Sequence, residues 1–261
     1  MVYCQKTKGV LAVYRVEDHP EIQKSYFLAS RGKGASKRLR GRVVLLSCFL
    51  QRGGRPFSED AKRNYYAALR GATLWLEEEA KKFRVPLTLE SMHFDIPVAK
   101  DATPRDGFRL VKDFLRSATV KEAQEYYEKR LGADETPFLL VFDEEGRSFA
   151  FEEAVGLAAE DELSVVFRKK DGYSSFTVIH ELLHQFGAQD LYFPAAVRER
   201  AERYFQNSIM GIGKQEMDDL TAYLIGWKDT VSAATYCFLK DTLWLDAKGW
   251  CDACSEEWKK K

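Results

Sequence analysis

Phe176-Thr-Val-Ile-His180-Glu181-Leu-Leu-His184-Gln-Phe-Gly187-Ala-Gln-Asp190-Leu-Tyr192 carries most of the chain's chemical specificity. Phe176, Ile179, Leu183 and Phe186 recur at the spacing of a buried helical stripe, and Ser174 or Ser175 stands where an N-cap belongs. On that helix His180 and His184 lie one turn apart, so both imidazoles project to one side and can share a metal ion. Glu181 is next to the first histidine, where its carboxylate can reach a metal-bound water instead of the metal. Gly187 sits just past the helical run, and a positive φ there lets the chain turn sharply. That turn can return Asp190 as a third ligand and leave a fourth position for water, the coordination of a catalytic zinc. With only four histidines in the chain, a chance His-Glu-x-x-His has odds on the order of half a percent.

The pattern His180-Glu-x-x-His184-x-x-Gly187-x-x-Asp190 resembles the extended zinc motif of the metzincin metallopeptidases, in the variant with aspartate as third ligand. Asp190-Leu-Tyr192 is similar to the immune inhibitor A-like and snapalysin-like peptidases. Asn207-Ser-Ile-Met210-Gly211 resembles the metzincin Met-turn, which implies that Met210 forms an apolar floor beneath the site. Ile212 stands where some relatives have a metal-proximal tyrosine, so Tyr192 is the candidate oxyanion helper, with a packing role as the alternative. The resemblance implies one catalytic Zn2+, a protein or peptide substrate, and peptide-bond hydrolysis with Glu181 as general base.

Outward from the motif, Val43-Val-Leu-Leu-Ser-Cys-Phe-Leu50 is a nearly continuous apolar run that suits a buried strand. Ser58 can cap a long helix whose inner stripe is Tyr65, Leu69, Ala72, Leu76, Ala80 and Phe83, with Pro86 at the exit. Further strands are expected over 87–94, 137–142, 147–151 and 163–167, with a turn at 143–146 and helical residues 105–131 broken near Ser117-Ala-Thr119. This order predicts an α/β (α+β) fold: a mixed twisted sheet with residues 147–151 at its edge, an active-site helix, a Met-turn and a C-terminal helical subdomain. A helix over 215–227, with Met217, Leu220 and Leu224 inward and Gly226 at its end, follows the Met-turn. The expected divisions are an appendage or arm over 1–42, in which 9–15 can pair with 25–30, a catalytic domain over 43–227, and a packed tail over 228–261.

Charge and composition exclude several classes. Lys+Arg and Asp+Glu balance at 40 each, so nucleic acid is not expected as the main partner. No apolar run approaches a membrane span, and the first residues show no secretory signal pattern. Five scattered cysteines, Cys4, Cys48, Cys237, Cys251 and Cys254, read as reduced thiols in a cytoplasmic protein, unless the chain is a processed secreted form. Cys251-Asp-Ala-Cys254 has metal-ligand spacing but lacks a second pair. Cys4 could cap the zinc as a latency thiolate. Two competing readings are a non-proteolytic zinc scaffold and a nucleic-acid-associated protein acting through basic residues 31–42, read as a loop or mobile arm.

Overall fold

A computed structural model describes residues 12–33, 36–151, 162–211 and 215–245. They divide into two compact units, one of Arg31–Gly187 with Ile225–Trp227, the other of the described residues in 12–30, 188–224 and 228–245. The elements in chain order are β1 (Val13–Tyr14), α1 (Pro20–Gln23), β2 (Gly41–Arg52), α2 (Glu59–Lys82), β3 (Leu87–Val98), α3 (Gly107–Leu115) and α4 (Val120–Leu131). Then come β4 (Phe138–Glu145), β5 (Phe149–Phe151), β6 (Leu163–Arg168), α5 (Ser175–His184), α6 (Ala195–Tyr204), α7 (Asp219–Leu224), β7 (Val231–Ser232) and α8 (Ala233–Asp241). Cys4, Ile212, Cys251 and Cys254 lie outside the described residues.

In the first unit the sheet order is β3-β2-β4-β6-β5. The first four strands run parallel, and β5 pairs antiparallel with β6 at the edge, so the sheet is mixed as the sequence predicts. A strand covered on both faces needs apolar residues at every position, which is why β2 lacks alternation. Val44, Leu46, Cys48 and Leu50 share a core with Val111 of α3 and Val120 and Ala123 of α4. On the opposite face Ser47 Oγ lies 2.8 Å from the Tyr65 hydroxyl of α2, and Phe49 packs edge-on against the same ring. β4 extends through the expected turn at 143–146 as far as Glu145, with an irregular register after Phe142.

α2 begins where Ser58 Oγ accepts the Ala61 amide at 3.1 Å, and it buries Tyr65, Leu69, Ala72, Leu76 and Ala80 as the spacing requires. A break separates α3 from α4, with left-handed Arg116 ending one and Thr119 capping the other. Gly71 of α2 lets α5 approach closely: a Cβ there would lie 2.5 Å from Ser175 Oγ.

Residues 36–42 are packed in the first unit. Ser36 and Leu39 are buried, and Leu39 N–H donates to the Ile225 carbonyl at 3.0 Å. The Trp227 indole N–H donates to the Leu39 carbonyl. Glu135 accepts the amides of Lys37 and Arg38, and Arg42 makes a two-point ion pair with Glu90 at 2.8 Å.

In the second unit β1 pairs antiparallel with β7, Val13 opposite Ser232 and Tyr14 opposite Val231. The expected hairpin with 25–30 is therefore replaced, and Tyr26–Leu28 forms a 3-10 turn that buries Tyr26 and Phe27. The helix expected over 215–227 is shorter. Asp218 caps it by accepting the Thr221 amide at 2.9 Å, and α7 spans only Asp219–Leu224, while Gly226 has φ +82°. Met217, Leu220 and Leu224 are buried as expected. Cys48 is a free, buried thiol, but Cys237 on α8 is disulfide-bonded, which corrects the expectation of five reduced thiols.

Candidate metal centre

α5 follows β6 through a tight turn at Lys169–Gly172 and starts where Ser174 Oγ accepts the Thr177 amide at 3.4 Å. Ile179 and Leu183 are buried with Val178 and Leu182, and Phe186 just beyond the helix is buried too. Phe176 is the exception to the expected stripe, exposed at 36 %. It lies in the first turn, one residue into the helix, and Val178 takes the inward position instead.

The one-turn offset brings His180 Nε2 and His184 Nε2 to 3.3 Å, with the rings 87° apart. Ligand-capable atoms of His180, Glu181 and His184 all lie within 4.8 Å of one another, and among the described residues this is the one such group of three. Two nitrogens bound to one zinc at ~2.0–2.1 Å and a tetrahedral angle stand about 3.3–3.4 Å apart. The observed spacing therefore fits a shared ion. His184 and Glu181 are buried, 5 % and 6 % exposed, and His180 is half-buried. Two imidazoles one helical turn apart suit zinc.

Beneath the helix runs a buried polar chain that the sequence reading does not anticipate. Ser164 of β6 donates its hydroxyl to the Glu181 carbonyl at 2.5 Å. Gln185 Nε2 donates to Ser164 Oγ at 2.8 Å and to the Phe138 carbonyl, on β4, at 3.0 Å. A serine inside the apolar run Leu163-Ser-Val-Val-Phe167 was the available signal, since a buried hydroxyl needs a partner.

Asp190, Tyr192 and Met210 belong to the second compact unit. The residues on either side of Asp190 are held there. Gln189 is buried, accepts the Tyr26 hydroxyl at 3.1 Å and donates to Ser30 Oγ at 3.1 Å, while Leu191 N–H donates to the Met210 carbonyl at 2.9 Å. The turn carrying the fully buried Met210 is braced from within: Ser208 Oγ donates to Asp218 and accepts the Met210 amide at 3.0 Å. Burial pushes the Asp218 carboxyl up, against the pull of its hydrogen bonds from Ser208 and Thr221. His19 and His93 stand apart from the metal group. His19 Nδ1 pairs with Glu21 at 3.2 Å, and His93 packs edge-on against Phe49 and Tyr66.

The sequence matches no family model, and no curated protein matches it. The likeness to metzincins accordingly rests on the motif residues themselves, of which His180, Glu181 and His184 form a possible metal site on α5.

Proposed function

We propose that the chain is a zinc-dependent endopeptidase of metzincin type, with His180, His184 and Asp190 as ligands and Glu181 as general base. The observation that carries this reading is the 3.3 Å separation of the two Nε2 atoms, with the Glu181 carboxylate beside them. Bound there, zinc supplies Lewis acidity that polarises a carbonyl and acidifies water. A Glu181 carboxylate oxygen takes the proton of the attacking water and returns it to the leaving amine. Burial of Glu181 limits competing water and strengthens its hydrogen bonding to that proton. Met210 serves as an apolar floor and not as a ligand, because a thioether is a poor partner for zinc beside harder donors. Tyr192 is the proposed oxyanion helper.

An extended substrate is proposed to add to β5, the short antiparallel edge strand next to β6. No helix among the described residues is long and apolar enough to cross a membrane. A cytoplasmic setting loses its support from thiol chemistry, because Cys237 is disulfide-bonded.

The test compares zinc-loaded parent with Glu181→Ala on a proteome-derived peptide library, reading new termini by mass spectrometry. Cleavages present in the parent and absent from the variant are expected, and their sequence gives the side-chain preference. Zinc bound by both proteins with no difference in termini would overturn the peptidase reading.

A further inference from the structure

α5 ends in a tightened turn: the amides of Gln185, Phe186 and Gly187 donate three residues back, to Leu182, Leu183 and His184. Carbonyls at a helix end need partners from elsewhere. The Ser164 hydroxyl supplies one to Glu181, at 2.5 Å, from the strand that precedes the helix. Gln185, adjacent to His184, spans two strands with a single amide nitrogen, reaching Ser164 on β6 and the Phe138 carbonyl on β4. Both side chains are buried, Ser164 at 0 % and Gln185 at 1 % exposure.

The other half of the Gln185 amide is the informative part. Its Oε1 is buried and has no hydrogen-bond partner among the described residues. A buried acceptor left unpaired is a standing cost, and an apolar side chain of the same length would not carry it. The amide is thus accounted for by what its nitrogen holds. It holds the backbone on either side of His184, directly at Gln185 and through Ser164 at Glu181.

We infer that Ser164 and Gln185 are positioning residues for the metal site: they tie the terminal turn of α5, which carries His184, to β4 and β6, and so fix how the His184 imidazole is presented beside that of His180. The inference rests on the reading of His180 and His184 as metal ligands. Hydrogen bonds made directly to metal ligands commonly change metal affinity by about 10–100-fold when removed, and a bond that holds the ligand's backbone is expected at the lower end of that range.

The experiment measures Zn2+ affinity by competition with a chromogenic chelator, and the visible absorption of Co2+-loaded protein, in the parent, Ser164→Ala and Gln185→Met. Thermal midpoints of the metal-free proteins are recorded beside them. A parent that binds one Zn2+ and variants that bind it at least about tenfold more weakly, with displaced Co2+ bands, are expected. A lower metal-free midpoint alone does not produce that result, because global destabilisation of a protein that stays folded at the assay temperature does not displace Co2+ bands, whereas misplaced ligands do. Variants with reduced midpoints but the parent's affinity and Co2+ spectrum would reduce the chain to a stabilising contact and overturn the inference. If Gln185→Met fails to fold, Ser164→Ala decides alone, since it removes only one hydroxyl. Absence of Zn2+ binding by the parent would instead sink the metal reading, and this inference with it.

Discussion

Two imidazole nitrogens 3.3 Å apart differ from histidines scattered over a helical surface because one ion can be shared by both. That arrangement makes His180 and His184 jointly necessary. Replacing either with alanine should abolish stoichiometric zinc binding, measured by metal analysis after gel filtration; retention of one zinc per chain would refute the assignment. Glu181→Gln keeps shape and removes the base, so zinc should stay while turnover falls by at least about 100-fold. A second carboxylate has a separate consequence. Burial pushes Glu135 up to about 7, although the amides of Lys37 and Arg38 pull the other way. A carboxyl that binds its proton more tightly when folded adds stability below its ordinary value near 4.5, and that contribution is lost as pH rises through about 7. Urea denaturation should therefore show the parent losing on the order of 2 kcal/mol between pH 5 and pH 8 through this group, and Glu135→Gln should flatten the decline. Equal pH slopes in both proteins would show that the carboxyl is not perturbed.

Elements differ in how much of themselves they put into the sequence. β2 and α2 were legible because each is governed by local rules: an unbroken apolar run for a strand covered on both faces, and a three-and-four spacing behind Ser58 for the helix. The α3–α4 break was legible through Thr119, whose hydroxyl accepts the Glu122 amide at 3.0 Å. β1 was not, because two residues hold no period and their partner, β7, lies more than two hundred positions away. The Ser164–Gln185 chain was hidden for a similar reason, since three elements have to meet before it exists. α2 gives the sharpest test at this scale. Ser58→Ala removes the 3.1 Å cap and should cost about 1 kcal/mol. For a chain of this size that amounts to a fall of roughly 2–4 °C in the thermal midpoint. An unchanged midpoint would mean that α2 is held by its packing against the sheet and α5 alone.

At the scale of the whole chain, the boundary between compact units falls between Gly187 and Ala188, inside the sequence motif. Local pattern revealed the motif but not this division, because the residues that claim Ala188 onward come from the other end of the sequence. Ile22 and Phe27 are fully buried in the second unit, and Tyr26 and Ser30 grip Gln189, so these four residues belong to the packing of that unit. Tyr26→Phe deletes one hydroxyl and its hydrogen bond to the buried Gln189 Oε1, a loss of about 0.5–1.5 kcal/mol. Deleting residues 1–30 removes the same contact together with the buried Ile22 and Phe27, and should leave the second unit unable to fold. Denaturant titration with far-ultraviolet dichroism separates the two changes: Tyr26→Phe lowers the midpoint at an unchanged slope, whereas the truncated chain loses part of the native signal before denaturant is added. A truncated chain with the parent's midpoint and native signal would show that the amino-terminal residues are dispensable, and would restore the view of them as an arm.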